Sequence, residues 1–182
     1  GFTAEEGGVL IPTPVILKAE TNEDETEATV YGNFWIFAYK ADGKILKVTA
    51  GGECPGIMKL EKKDGAWKVA SFESAGDGEQ YSEDIVRFAN GDKELEEMYF
   101  RSSGAAEDSI LDQYQRVAVV EYVKANQLDI EAYQDYGSDP VSVTDWPPPA
   151  GQLPLRLRNS GCMKGKEGRL SVLPAFCTPK DF

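Results

Sequence analysis

Alternation of apolar and polar side chains dominates the first half of the chain. Thr29 to Tyr39 (TVYGNFWIFAY) is the strongest such run. Val30, Phe34, Ile36 and Ala38 fall on one face, and Tyr31, Trp35, Phe37 and Tyr39 on the other. Bulky groups on both faces predict a central strand covered on both sides. Gly7 to Leu17 (GGVLIPTPVIL) is apolar with two prolines and reads as an extended edge segment, because proline lacks the N–H that a central ladder needs. Asp42-Gly43 marks a hairpin that returns through Lys44 to Ala50. Asp64-Gly65 joins Ile57–Lys63 to Ala66–Phe72 in the same way. These runs predict an antiparallel meander of four strands, with the proline segment as a fifth.

After Gly76-Asp77-Gly78 the period changes from two to about 3.6. Ser82, followed by Glu83 and Asp84, reads as a helix start: a hydroxyl cap, then acids at the positive end of the dipole. Ile85, Phe88 and Ala89 form its apolar stripe. Asn90-Gly91-Asp92 interrupts, and Lys93 to Arg101 resumes with Leu95, Met98 and Tyr99 on one face. A longer helix is predicted from about Ser109 to Asn126. Its line Ile110, Tyr114, Val117, Glu121 is flanked by Leu111, Ala118, Tyr122 and Ala125 and widened by Val119 and Val120. Leu128 to Tyr136 alternates and reads as one more strand. The expected architecture is an α+β domain over residues 1–145: an antiparallel β-meander of four to six strands, then helices packed on one face. A proline connector at 146–150 and a small C-terminal hairpin at 151–182, packed on the main domain, complete it.

Composition narrows the chemistry. The 182 residues carry a formal charge of −12, with a pI near 4.5. So acidic a surface repels phosphate backbones and argues against nucleic-acid binding. The charge is uneven. Residues 151–182 hold six Lys/Arg and two Asp/Glu, leaving −16 on residues 1–150. The basic tail is expected to fold back on its own acidic body; docking to a partner is the alternative. No apolar run reaches the roughly 18 residues of a membrane span. Histidine is absent, which removes Ser-His-Asp and Cys-His nucleophiles, Cys/His zinc sites and a histidine base. Gly1 without a methionine reads as a trimmed start, so any signal peptide or lipid-attachment cysteine belongs to the removed segment.

There are three cysteines and no CxxC. A Cys162–Cys177 bridge would close a loop of about 15 residues, worth roughly 3 kcal/mol in the chain-entropy view, and holds together a segment too short to hold itself. Two packed thiols are the alternative. Cys54, in the turn GGECPG, reads as a small packing residue, since nothing is present to activate it. That glycine string lacks the Lys-Ser/Thr of a phosphate loop and lies between strands. The acidic stretch Glu20–Glu27 lacks the ligand spacing and glycine of a calcium loop, so it reads as a solvated turn, and Asp77-Gly78-Glu79 reads as a turn with capping acids. No metal and no cofactor is expected.

Two resources for a site remain. Asp77, Glu79, Glu83 and Asp84, with Asp129, Glu131 and Asp135, are the acids from which a catalytic pair could be drawn. Aromatic side chains can line a pocket or stack on a sugar. Tyr31 and Trp35 on the strong strand, with Tyr133 and Tyr136 late in the chain near Trp146, are the candidate ligand-binding residues. Packing in the core is the competing role for all of them.

The pieces PTPVILKAE, VYGNFWIFAYK, GGECPGIMKL, DGAWKV, AGDG and VKANQLDIEAYQDYGSDPV occur in that order between about Leu10 and Val143. In this the chain resembles an uncharacterised family of exported or lipid-anchored domains from gut bacteria, itself similar to cystatin-like and NTF2-like α+β folds. The resemblance implies a curved antiparallel sheet wrapped on a helix, and it carries no catalytic motif. The usual NTF2-like order puts helices first, whereas here the strands lead. The expected function is a non-catalytic extracytoplasmic binding or interaction domain, secreted or anchored in the cell envelope. Its partner would be a small ligand or an envelope protein, and it would touch a membrane only through a removed N-terminal lipid anchor. A carboxylate-dependent enzyme acting on a carbohydrate is the first alternative. A cystatin-like inhibitor with GGECPG as its wedge is the second.

Overall fold

The longest strand, β2 (Glu27–Asp42), organises the sheet. The computed structural model describes residues 3–144 except 105, 107 and 108, so the proline connector and the 151–182 appendage lie outside the described residues. Along one edge β2 carries β1 (Gly8–Thr21), antiparallel from Gly8 opposite Lys40 to Thr21 opposite Ala28. Its other edge is shared. β3 (Ile45–Gly52) pairs with residues 36–42, and β4 (Pro55–Lys63) pairs with residues 27–33. The two paired stretches of β2, seven residues each, fit end to end along its 16 residues. For that reason β4 returns to β2 and does not pair with β3, and the predicted simple meander gives way to another order. That order is β5-β4-β2-β3-β6-β7, with β1 attached to β2.

β5 (Ala66–Ser74) completes the β4 hairpin as predicted. The late strand shrinks to β6 (Ala132–Gln134) and runs parallel to β3, capped by β7 (Val141–Ser142). The result is an α+β fold with seven strands, mostly antiparallel, and three helices among the described residues.

Helices α1 (Glu79–Ala89), α2 (Lys93–Arg101) and α3 (Leu111–Ala125) follow β5. The break between α1 and α2 is the predicted one. Asn90 ends α1 in the left-handed conformation, and the Asp92 carboxylate accepts from the Leu95 N–H to start α2. The start of α1 differs from expectation. It begins after Gly78, at φ 64°, one turn ahead of Ser82. The reason is Asp84, which turns inward rather than serving the dipole. Its carboxylate accepts from the Gly76 N–H at 3.0 Å and from Arg87 at 2.8 Å, clamping the preceding turn and leaving Ser82 inside the helix.

These contacts hold the Asp84 carboxyl below its ordinary value, the Gly76 N–H first and Arg87 second. A carboxylate depressed in the folded state stabilises the fold above its unfolded value of about 3.9 and loses that contribution as pH falls through the lower folded value. The expected outcome for Asp84→Asn is a protein less stable than wild type at pH 7, with the gap closing below about pH 4. Urea unfolding across that range measures it.

The helices cover one face of the sheet. Ile11, Val15, Phe37 and Tyr39 from β1 and β2 meet Ile85, Phe88, Leu95, Tyr99 and Val119 there. A smaller cluster of Ala28, Val30, Met58 and Leu60, with Phe34 and Trp67 against it, lies on the opposite face. β2 is thus buried from both sides, as its alternation predicts. α3 is rotated from its predicted orientation. Leu111, Gln115, Ala118, Val119, Val120 and Val123 are buried, while Val117 is half-buried and Glu121 exposed. Gln115 takes the inward line because its Nε2 donates to the Tyr39 hydroxyl at 3.0 Å, satisfying two buried polar groups together.

Candidate functional site

Two places in this frame have chemistry beyond packing. The first is a buried polar junction where β3 hands over to β4. Asn33 is fully buried in the middle of β2. Its Oδ1 accepts from the Cys54 N–H at 3.1 Å, and its Nδ2 donates to Glu53 Oε2 at 3.3 Å and to the Ser102 carbonyl at 3.2 Å. Trp35 Nε1 donates to the same carbonyl at 3.0 Å. One amide therefore ties the strand break to the C-terminal end of α2. The Phe34 N–H donates to the Cys54 carbonyl, so the Gly51–Gly56 segment is held against β2 and does not project as a wedge. Burial pushes the Cys54 thiol above its ordinary value, which suits a packing residue and not a nucleophile.

The second place is a shallow recess of about 230 Å³ at the far end of the sheet. Val9, Ala41 and Leu46 line it from β1, β2 and β3, and Leu128 and Ile130 from the segment joining α3 to β6. The ring of Tyr39 lies at its wall, with the hydroxyl turned inward to Gln115 and burial holding its titration well above the ordinary range. Lys44 anchors the joining segment. Its Nζ contacts Glu131 at 2.6 Å and Asp129 at 3.2 Å, and its carbonyl accepts from the Glu131 N–H at 2.9 Å. The lining joins Tyr39 and aliphatic side chains from both halves of the chain to Gly7 and to Asp129, one of the candidate acids.

The four aromatic candidates are not brought together. Trp35 is half-buried, stacked on Phe37 with ring centres 5.5 Å apart, and its N–H is committed to Ser102. Tyr31 is half-buried on the same face, its hydroxyl donating to Glu20 at 3.4 Å. Tyr133, 4% exposed, is part of the core, and burial pushes its hydroxyl to about 12. Tyr136 is 95% exposed. Helices fill the sheet face that a Tyr31–Trp35 mouth would need. Cys162, Cys177 and Trp146 lie outside the described residues.

Among the acids, Asp129 and Glu131 meet at the Lys44 ammonium, whereas Asp77 and Asp135 lie far apart. Asp135 follows a strand registered through Lys47 on Lys40, whereas Asp77 follows one registered through Gly56 on Gly32. Those positions on β2 lie roughly 26 Å apart at ~3.3 Å per residue. The carboxyls with displaced titration, Asp42, Asp84 and Asp92, are all held low by their partners. A general acid needs the opposite displacement. Among the described residues no group of three or more His, Cys, Asp or Glu is placed to hold a metal ion, and no helix is long and apolar enough to cross a membrane.

Sequence reasoning passed over Asn33 and the recess. A signal for Asn33 was present, because an amide inside an otherwise apolar two-faced strand must find buried partners. For the recess the signal was partial: Tyr39 lies on the aromatic face of the strong strand and Asp129 among the candidate acids, but the aliphatic residues beside them are distant in sequence. No protein family, no curated protein and no solved structure matches this chain.

Proposed function

We propose that the protein is a non-catalytic binding or interaction module that works outside the cytoplasm. The apolar recess between the sheet end and the α3–β6 segment carries this reading. At about 230 Å³ it is smaller than the pockets of roughly 300–1,000 Å³ that enclose drug-sized ligands. It suits one apolar side chain of a partner or a small apolar ligand. A sheet with helices on one face supports an NTF2-like or cystatin-like fold. The resemblance to exported gut-bacterial domains supports secretion or envelope anchoring, and an exported life in turn calls for the Cys162–Cys177 bridge.

Native mass spectrometry and crosslinking in the cell envelope test the reading. The wild-type chain is expected to retain a ligand or an envelope partner. Ala41→Trp, which fills the recess from an exposed strand end, should lose it while keeping the wild-type melting temperature. The protein should also gain two hydrogens on reduction. A bare wild-type protein in both experiments, or equal retention by Ala41→Trp, overturns the recess as the binding site. Cys162 and Cys177 found reduced in the purified protein count against export.

A further inference from the structure

The edges of this sheet are unequal. β1 presents Pro12 and Pro14, which have no N–H, and α3 packs beside it, with the Tyr114 hydroxyl donating to the Ile16 carbonyl. β7 is two residues long. β5 is nine residues long, has no proline, and pairs only with β4 among the described residues. Such an edge is a template for another strand. It also exposes two large apolar side chains, Val69 at 46% and Phe72 at 39%.

We propose that the occupant of this edge is β5 of a second copy of the chain, paired antiparallel about a twofold axis through Ala70–Ser71. The residues of β5 complement one another in that register. Val69 meets Phe72, Lys68 meets Glu73 and Trp67 meets Ser74, each pair formed twice. Opposed residues of an antiparallel pair must share a face, and these do. Val69 and Phe72 stand opposite Leu60 and Met58, on one face of β4. Lys68 and Glu73 stand opposite Glu61 and Ile57, on the other.

This match depends on the register shift in the hairpin. Val69 pairs with Leu60 and Ser71 with Lys59, so Ala70 has no partner of its own. The extra residue brings Val69 and Phe72 to the same face, where a regular strand would put them on opposite faces.

Charge favours the same place. The molecule is strongly acidic, yet from Lys59 to Glu73 four lysines stand against three acids. The edge is thus far less charged than the rest of the molecule, which lowers the repulsion between two copies that meet here. Glu73 already holds Arg87 of α1 through Oε1 at 2.6 Å, and its side chain stays more than half exposed. A contact limited to one strand and its flanking side chains lies at the small end of specific interfaces, so a weak, concentration-dependent dimer is the form expected.

Sedimentation velocity of the full chain over a concentration series tests this. Wild type should dimerise reversibly. Lys68→Glu and Glu73→Lys should each weaken self-association by about tenfold or more, because each puts like charges opposite one another twice per dimer. The double variant Lys68→Glu with Glu73→Lys restores opposite charges and should restore the dimer. Far-ultraviolet circular dichroism checks that every variant is folded. A wild type that stays monomeric throughout the series overturns the proposal. So does a dimer indifferent to the single changes, or a double variant that fails to recover. The outcome is independent of the recess at the other end of the sheet.

Discussion

Asn33→Asp should destabilise the protein by about 3–5 kcal/mol at pH 7, and part of that loss should return in mild acid. The substitution keeps an acceptor for the Cys54 N–H. It removes the Nδ2 donor and turns a carboxylate oxygen toward the Ser102 carbonyl and the Glu53 carboxylate, which Asn33 contacts at 3.2 and 3.3 Å. Asn33 itself is fully buried, although Glu53 is exposed, so little from solvent offsets a charge at position 33. Burial and a like charge both raise a carboxyl's titration above its unfolded value of about 3.9. The folded variant then binds its proton more tightly than the unfolded chain does. Its deficit is therefore full above the raised value and shrinks as pH falls toward the unfolded value. Asp84 moves in the opposite sense, so the quantity to follow is the difference from wild type at each pH. Urea unfolding at pH 7.5 and pH 5 gives it. A deficit below about 1 kcal/mol, equal at both pH values, would mean that the amide does not join the strand break to α2. Asn33→Ala, which adds no charge, should lose about 2–4 kcal/mol with no pH dependence of its own.

The second large effect lies two residues beyond Cys54. Gly56→Ala should destabilise by about 3 kcal/mol and release the C-terminal half of β5 first. A methyl group at Gly56 would run into the Glu73 carbonyl oxygen and come within 2.9 Å of the Phe72 ring. The ring can turn, but the carbonyl belongs to the backbone of the strand paired with β4, so relief requires the two strands to part. Gly65→Ala is the control. Its φ of +79° is strained for alanine, yet nothing lies near the added methyl, so about 1 kcal/mol is expected. Equal losses at the two glycines would show that Gly56 is not a close-packing position. Hydrogen exchange should place the fastest new exchange in residues 71–74 of the Gly56 variant, where the clash occurs.

Local pattern carried much of the fold. The two-sided alternation of Thr29–Tyr39, the turns at Asp42-Gly43 and Asp64-Gly65, and the Asn90-Gly91-Asp92 break each rest on neighbouring residues, and each is where the pattern put it. The start of α1 was misread for a reason that is not local. A serine followed by two acids looks like a cap, but Asp84 is drawn inward by Gly76 and Arg87. The candidate site was less legible. Tyr31, Trp35, Tyr133 and Tyr136 were chosen by residue type, and type does not distinguish a core tyrosine such as Tyr133 from an exposed one such as Tyr136.

The residues alone decided the class, strands first and helices after, and the composition, strongly acidic and without histidine. They decided these points because period, turn chemistry and charge are properties of a few neighbours or of the whole composition. Tertiary structure decided that β3 and β4 share one edge of β2, that Asn33 closes the gap between them, and that the recess is built from residues 7, 9, 39, 41, 46 and 128–130. Strand partners and cavity walls depend on which distant segments meet. That choice is made by the matching of strand lengths and buried polar groups across the folded chain, and no window of sequence contains it.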